Sequence, residues 1–257
     1  MTLADTCPPP SPAPPPADTF GLPCATGWPE IDAKGMIEVD LLMVHSLGIT
    51  LAQMMENAGR ALATLALRRY LGGTSAPRRV LVLAGSGGNG GGALVAARRL
   101  AGWGAEVSLV LAQAREAMRG VSALQMQILE QTGLWAGPLP EAAPDLIIDG
   151  LVGYSLRGAP RGRVAELIGW ANASAAPVLA LDVPTGFDAA TGELHAPHIR
   201  ADATLTLACP KRGMAAASHA VGALYLADIS VPPGLFARLS TPLVVPRFDA
   251  GDLLRLG

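Results

Sequence analysis

Two aspartates close apolar runs in this chain. Asp149 ends Leu146-Ile147-Ile148, and Asp182 ends Val178-Leu179-Ala180-Leu181. A carboxylate at the end of a buried strand is costly unless it is paired or binds a cation. Asn89 and the Thr185 hydroxyl are the polar groups expected beside them. Together the four residues offer only oxygen donors, which suit a hard cation such as a monovalent ion or magnesium and not zinc. Asp182 sits in Leu181-Asp182-Val183-Pro184-Thr185-Gly186, where proline and glycine fix a turn. A carboxylate held there is a natural general acid/base; a structural cap of the turn is the plainer reading.

A glycine-rich stretch, Gly85-Ser86-Gly87-Gly88-Asn89-Gly90-Gly91-Gly92, lies between an apolar strand-like run and a helical one. In that context glycine lets the backbone approach a phosphate, and the following helix supplies amide donors and the positive end of its dipole. The alternative is a tight turn with no ligand. An ordinary dinucleotide fold also wants Asp or Glu after the second strand to hold a ribose. This chain has Ala112-Gln113 there, which weakens a dehydrogenase reading. A second glycine-containing loop, Asp149 to Gly158, exposes further amides, and its Arg157 is either a bidentate phosphate contact or a solvated loop charge.

Other candidates carry less. His195 and His198 lack further metal partners, and His45 and His219 are isolated. Ser155 lacks the surrounding sequence of a hydrolase nucleophile. Cys7, Cys24 and Cys209 follow no disulfide spacing and read as reduced thiols.

These residues need a scaffold, and the chain supplies one. From Arg79 onward, strand, loop and helix alternate. Strands are expected at 80–84, 106–112, 145–150, 178–183, 203–208 and 224–227. Helices are expected at 93–100, 114–132 (with a break at Gly120) and 164–173. Upstream, a helical region spans 32–70, broken near Gly48 and capped again by Thr50. Within it Leu51, Met54, Met55, Ala58, Leu62 and Leu65 recur at helical spacing. Glu56 and Asn57 on that helix face either a site or solvent.

Such alternation requires a mostly parallel sheet with helices on both faces, an α/β fold. The three loops of interest then leave the same sheet edge, where ligands bind in such folds. Residues 1–30 are proline-rich and read as a disordered leader, with one domain over 31–257. Half of the 257 residues are hydrophobic, enough for a sizeable core, and a net charge of −2 argues against a broad nucleic-acid surface. No secretion signal or membrane-length apolar run is evident, so a cytoplasmic protein without membrane attachment is expected.

Four stretches in this order resemble one known family. They are Met54-Met55-Glu56-Asn57-Ala58-Gly59, the glycine stretch running into Leu94-Val95-Ala96-Ala97-Arg98, Asp149 with Gly153-Tyr154-Ser155-Leu156-Arg157-Gly158, and Asp182-Val183-Pro184-Thr185-Gly186. Cys209-Pro210-Lys211 follows at the expected distance. The chain resembles the YjeF N-terminal domain, the NAD(P)H-hydrate epimerase family, over residues 32–240. The resemblance implies a three-layer αβα Rossmann-like sandwich. It implies epimerisation of the R and S forms of hydrated NADH and NADPH, with Asp182 as acid/base and a bound potassium ion. It assigns Asn89, Asp149 and Thr185 to potassium. It assigns Gly88, Asn89, Gly90, Gly91, Gly92, Gly153, Tyr154, Ser155, Leu156, Arg157, Gly158, Ala159 and Asp182 to substrate. A homodimer working with a separate dehydratase is the implied partnership. The chain departs from the family loop at Gly88 (usually Asn), Gly92 (usually Asp) and Ala93 (usually Gly), and carries Thr185 where the family has Ser. A catalytically impaired module of the same fold, binding a nucleotide-like ligand, is the alternative that these departures raise.

Overall fold

The computed structural model describes residues 16–74 and 76–257. The chain begins with β1 (Cys24–Ala25) and α1 (Ala33–Leu41), which continues as a π-helical turn over Leu42–Ser46. It then forms α2 (Leu51–Arg69), β2 (Arg79–Ala84), α3 (Gly88–Gly102), β3 (Glu106–Leu111), α4 (Gly120–Gln131), β4 (Leu146–Gly150) and α5 (Gly162–Ala173). There follow β5 (Val178–Leu181), a small hairpin of β6 (Phe187–Asp188) and β7 (Glu193–Leu194), β8 (Ala203–Leu207), α6 (Ser218–Val221), β9 (Ala223–Ala227), α7 (Pro233–Phe236) and β10 (Leu253–Leu256).

Eight strands form one sheet in the order β1-β10-β9-β8-β5-β4-β2-β3, and every pair is parallel except β10 with β9. The expected α/β class with a mostly parallel sheet is therefore what the chain adopts. Successive residues of β2 serve opposite faces, as the strand period requires. Val80, Val82 and Ala84 join the core under α2, α3 and α4, whereas Leu81 and Leu83 join the core under α5. Three layers result, and the central strands read as continuous apolar runs because both of their faces are covered.

The long helical region resolves at residues 47–50. Thr50 caps α2 as expected: its hydroxyl accepts from the Gln53 amide while the Gln53 side chain accepts from the Thr50 amide. Met54 and Met55 pack in the core. Glu56 faces neither site nor bulk solvent alone, since it pairs with Arg98 and Arg99 of α3, and Asn57 donates to the Ser230 hydroxyl at 2.7 Å. The α2–α3 crossing is close: a Cβ on Gly59 would lie 2.4 Å from Val95 Cβ and 2.6 Å from the Gly92 carbonyl oxygen.

The N-terminal boundary differs from the compositional reading. Residues 1–15 of the expected leader lie outside the described residues. Residues 16–30 pack against the domain. Leu22 is buried, β1 pairs with β10, and the Asp18 carboxylate accepts the Tyr225 hydroxyl at 2.9 Å. Proline content limits helix donors, yet a two-residue strand and one buried leucine suffice to dock an extended segment on a sheet edge. Among the described residues no helix is long and apolar enough to cross a membrane.

Candidate active site

The sheet order places β3 on one side of β2 and β4 on the other. The carboxyl ends of β2, β4 and β5 thus open on a topological switch point, where ligands enter folds of this type. A cavity of about 450 Å³ lies there. Its walls include Gly85 to Asn89, Leu151 to Ser155, Asp182, Ala112 and Gln113. Met36 and Asp40 of α1 and Leu51, Met54 and Met55 of α2 close over it.

The glycine stretch is shorter as a loop than its sequence suggests. α3 begins at Gly88, behind the N-cap Gly87, which has no side chain to cap it, so the first-turn amides keep their donors. Gly85 and Gly90 are required by packing: a Cβ on Gly85 would sit 1.9 Å from the Leu151 carbonyl oxygen, and one on Gly90 would sit 1.8 Å from the Gly85 carbonyl oxygen. Gly87 has open space before it, and a Cβ on Gly88 would meet only Met55 Sδ at 3.8 Å, an ordinary contact. Gly88 and Asn89 reach the cavity wall, whereas Gly90, Gly91 and Gly92 are buried in the first turns of α3 and do not. A Cβ on Gly92, the position of the family's Asp, would point at Leu181, Ala58 and Met55.

In the second loop Gly153, Tyr154 and Ser155 line the cavity. Leu156 lies off its wall, as do Arg157, Gly158 and Ala159, which are exposed. The histidines stand apart from the site: His195 faces Asp188 at 3.5 Å, and His198 Nδ1 lies 3.1 Å from the His195 carbonyl oxygen.

Asp149 and Thr185 come together at the ends of β4 and β5, while Asn89 lies on the cavity wall. Asp149 is fully buried and accepts from the Leu151 amide at 3.1 Å, the Thr185 amide at 2.8 Å and the Thr185 hydroxyl at 2.7 Å. The Thr185 hydroxyl in turn accepts from the Val152 amide at 3.0 Å. Burial outweighs these donors and lifts the Asp149 carboxyl to about 6. The Asn89 side chain lies against Gly153, where an added Cβ would be 3.2 Å from its Oδ1. Both polar atoms of that amide are buried without a partner. Buried polar groups are rarely left so.

Asp182 occupies the opposite kind of setting. Its φ of +67° is left-handed, a strained conformation for a residue with a Cβ, costing of order 1–3 kcal/mol. Hydrogen bonding from its amide to the Leu205 carbonyl at 2.7 Å holds it in place. The turn carries its carboxylate onto the cavity wall, where Oδ2 accepts the Tyr154 amide at 3.2 Å and Oδ1 pairs with the Lys211 ammonium. Lys211 is completely buried and also donates to the Leu207 and Cys209 carbonyls and the Thr206 hydroxyl. In the sequence Lys211 is only part of the Cys209-Pro210-Lys211 motif, with no role attached. Asp40 was missed: its Oδ2 accepts the Tyr154 hydroxyl at 2.5 Å. Its signal was a carboxylate on α1 four residues beyond the buried Met36, and only the cavity gives that spacing meaning.

A family model described as YjeF-related protein N-terminus matches residues 51–213. An NAD(P)H-hydrate epimerase from Dehalogenimonas lykanthroporepellens is 45% identical over 224 residues, covering 86% of this chain and 90% of that protein. One of the same name from Rhodopirellula baltica is 36% identical, covering 82% and 88%. A bifunctional NAD(P)H-hydrate repair enzyme Nnr from Hyperthermus butylicus is 34% identical over 78% of this chain, which spans 39% of that longer protein. The crystal structure of yeast ynu0, YNL200c, superposes with a TM-score of 0.75, covering 89% of this chain and all of that one at 23% identity, a likeness of fold.

Proposed function

This chain belongs to the family of YjeF-related N-terminal proteins, and we propose that it interconverts the R and S epimers of hydrated NADH and NADPH. The observation that carries the reading is Asp182, a buried, lysine-paired carboxylate fixed on the wall of a cavity whose floor is the start of α3. The uncapped amides of α3 suit the substrate's phosphates. The apolar side chains of Met54, Met55, Leu51 and Leu207 suit a nicotinamide-type ring.

Asp182 acts as the acid/base group. The substrate's hydroxyl-bearing carbon is attached to the ring nitrogen, so protonating that hydroxyl lets it leave, and deprotonating an incoming water restores it. The Tyr154 amide and Lys211 hold the carboxylate at one orientation for that work.

The Asn89, Asp149 and Thr185 set fits a potassium ion, on the observations that the Asn89 amide oxygen is buried and unpartnered and that the buried Asp149 carboxylate belongs to no ion pair among the described residues. A bound ion would be held by Asn89, Asp149 and Thr185 and would supply positive charge near the ends of β4 and β5. A cytoplasmic homodimer acting with an NAD(P)H-hydrate dehydratase completes the proposal, and relatives named as bifunctional NAD(P)H-hydrate repair enzymes support the partnership with a dehydratase.

The R epimer of hydrated NADH, supplied with protein and potassium, is expected to convert to S faster than it does spontaneously, followed by chromatography. No acceleration would overturn the enzyme reading. Ligand binding without turnover would instead favour the impaired module that Gly88 and Gly92 suggest.

A further inference from the structure

Three titratable side chains line the cavity: Asp182, Tyr154 and Asp40. They come from three elements and meet through one residue. The Tyr154 amide donates to Asp182 at 3.2 Å, and its hydroxyl donates to Asp40 at 2.5 Å. Asp182 is fixed by a left-handed backbone, a buried lysine and that amide, so it serves one side of a bound ring. Inverting a carbon requires a proton to be given on one face and taken on the other. A carboxylate that cannot move needs a counterpart on a different element.

We propose that Asp40, held by Tyr154, is that counterpart, so that each epimer's hydroxyl is served by a different carboxylate. This rests on the epimerase reading above. In one direction Asp40 gives its proton to the hydroxyl. The carbon–oxygen bond breaks with its electron pair on the departing water, and the ring nitrogen's lone pair closes a carbon–nitrogen double bond. Water then adds from the other face, its oxygen forming the new bond while the π pair returns to nitrogen. Its proton passes to the Asp182 carboxylate. The reverse reaction exchanges the roles, and solvent resets the protons between turnovers.

The electrostatics agree with the geometry. Burial pushes the Asp40 carboxyl above the usual carboxylate range, opposed by the Tyr154 hydrogen bond, with Asp182 adding to the rise and Lys211 opposing it. Burial, and then Asp40, push the Tyr154 phenol up as well, so the phenol remains a donor.

The test is exchange of oxygen from ¹⁸O-labelled water into each epimer, separated by chromatography and weighed by mass spectrometry. Wild-type protein should epimerise and label both forms. Asp40→Asn should lose epimerisation by about 10²-fold or more while still labelling one epimer, because loss and return on the Asp182 face survive. Asp182→Asn should label only the other. Asp40→Asn epimerising within about threefold of wild type, a tenth or less of the smallest effect expected of such a group, would overturn the role. Both variants labelling the same epimer would also overturn it. Wild-type protein that neither epimerises nor labels would remove the epimerase reading and this role with it. Should Asp40→Asn not fold, Tyr154→Phe serves. Losing that hydrogen bond should raise the Asp40 carboxyl further and move its limb of the pH–rate profile to higher pH, and an unmoved limb would overturn the proposal.

Discussion

Asp149 and Asp182 close adjacent parallel strands, β4 and β5, and each is almost wholly buried, yet the protein treats them in different ways. Asp182 has a lysine of its own, and the ion pair is closed within the chain. Asp149 has three hydrogen-bond donors, and none of the ion pairs among the described residues includes it. Burial therefore lifts its carboxyl to about 6. The pair teaches that a strand-end carboxylate can be satisfied from inside or can leave a place for something outside. The first arrangement makes a fixed reagent, and the second makes a binding site.

The largest effects should come from the closed pair. Asp182→Asn is expected to lower kcat/KM by about 10²–10⁴-fold in the epimerase assay. It also strands the Lys211 ammonium, and Lys211→Met strands the carboxylate. Each should cost about 3–5 kcal/mol in denaturant unfolding, with the double variant Asp182→Asn/Lys211→Met recovering part of that loss. Single variants as stable as wild type would break the contrast.

Next comes the open site. Potassium at about a hundredfold above its Kd should stabilise the protein by about 2.7 kcal/mol, read as a rise in Tm that lithium does not match. Asp149→Asn should abolish that rise and Asp182→Asn should keep it; the opposite pattern would move the ion to the wrong carboxylate. Smaller again is Thr185→Val, which removes the hydroxyl that serves both Asp149 and the Val152 amide. It should cost about 1–3 kcal/mol, with Thr185→Ser costing less because the hydroxyl stays.

The smallest effect is a protection. Cys209 sits beside Lys211, and burial pushes its thiol up to about 12, with Lys211 opposing the rise. A raised thiol stays protonated below that pH, so at pH 8 only about one part in 10⁴ is the reactive thiolate. Iodoacetamide should label the half-buried Cys24 before Cys209 in the native state. Rapid labelling of Cys209 would mean that the cluster around Lys211 is not closed.

Much of the fold was legible in advance. All six expected strands are present with ends shifted by up to two residues, because runs of Val, Leu, Ile and Ala buried on both faces look alike in any parallel sheet. The helix at 114–132 divides into a short turn over Arg115–Ala117 and α4, close to the allowed break. β1 and β10 were not expected. Two to four residues on a sheet edge carry no period of their own, and their pairing joins opposite ends of the chain. The glycine stretch was legible as a strand-to-helix turn but misleading in extent, since Gly85 and Gly90 answer to backbone contacts and only Gly85 to Asn89 line the cavity.

What the sequence determined by itself is the list of strand ends. Apolar runs fix where buried strands lie, and the polar residue that stops each run must face the open edge, so the sequence alone singles out Asp149 and Asp182. Tertiary structure alone decided their company. Lys211 reaches Asp182 because β5 and β8 are neighbours, and Asp40 meets Tyr154 across 114 residues of chain because α1 folds back over the cavity. Hydrogen bonds and ion pairs act over a few ångströms of space, and separation along a chain says little about that distance until packing has set it.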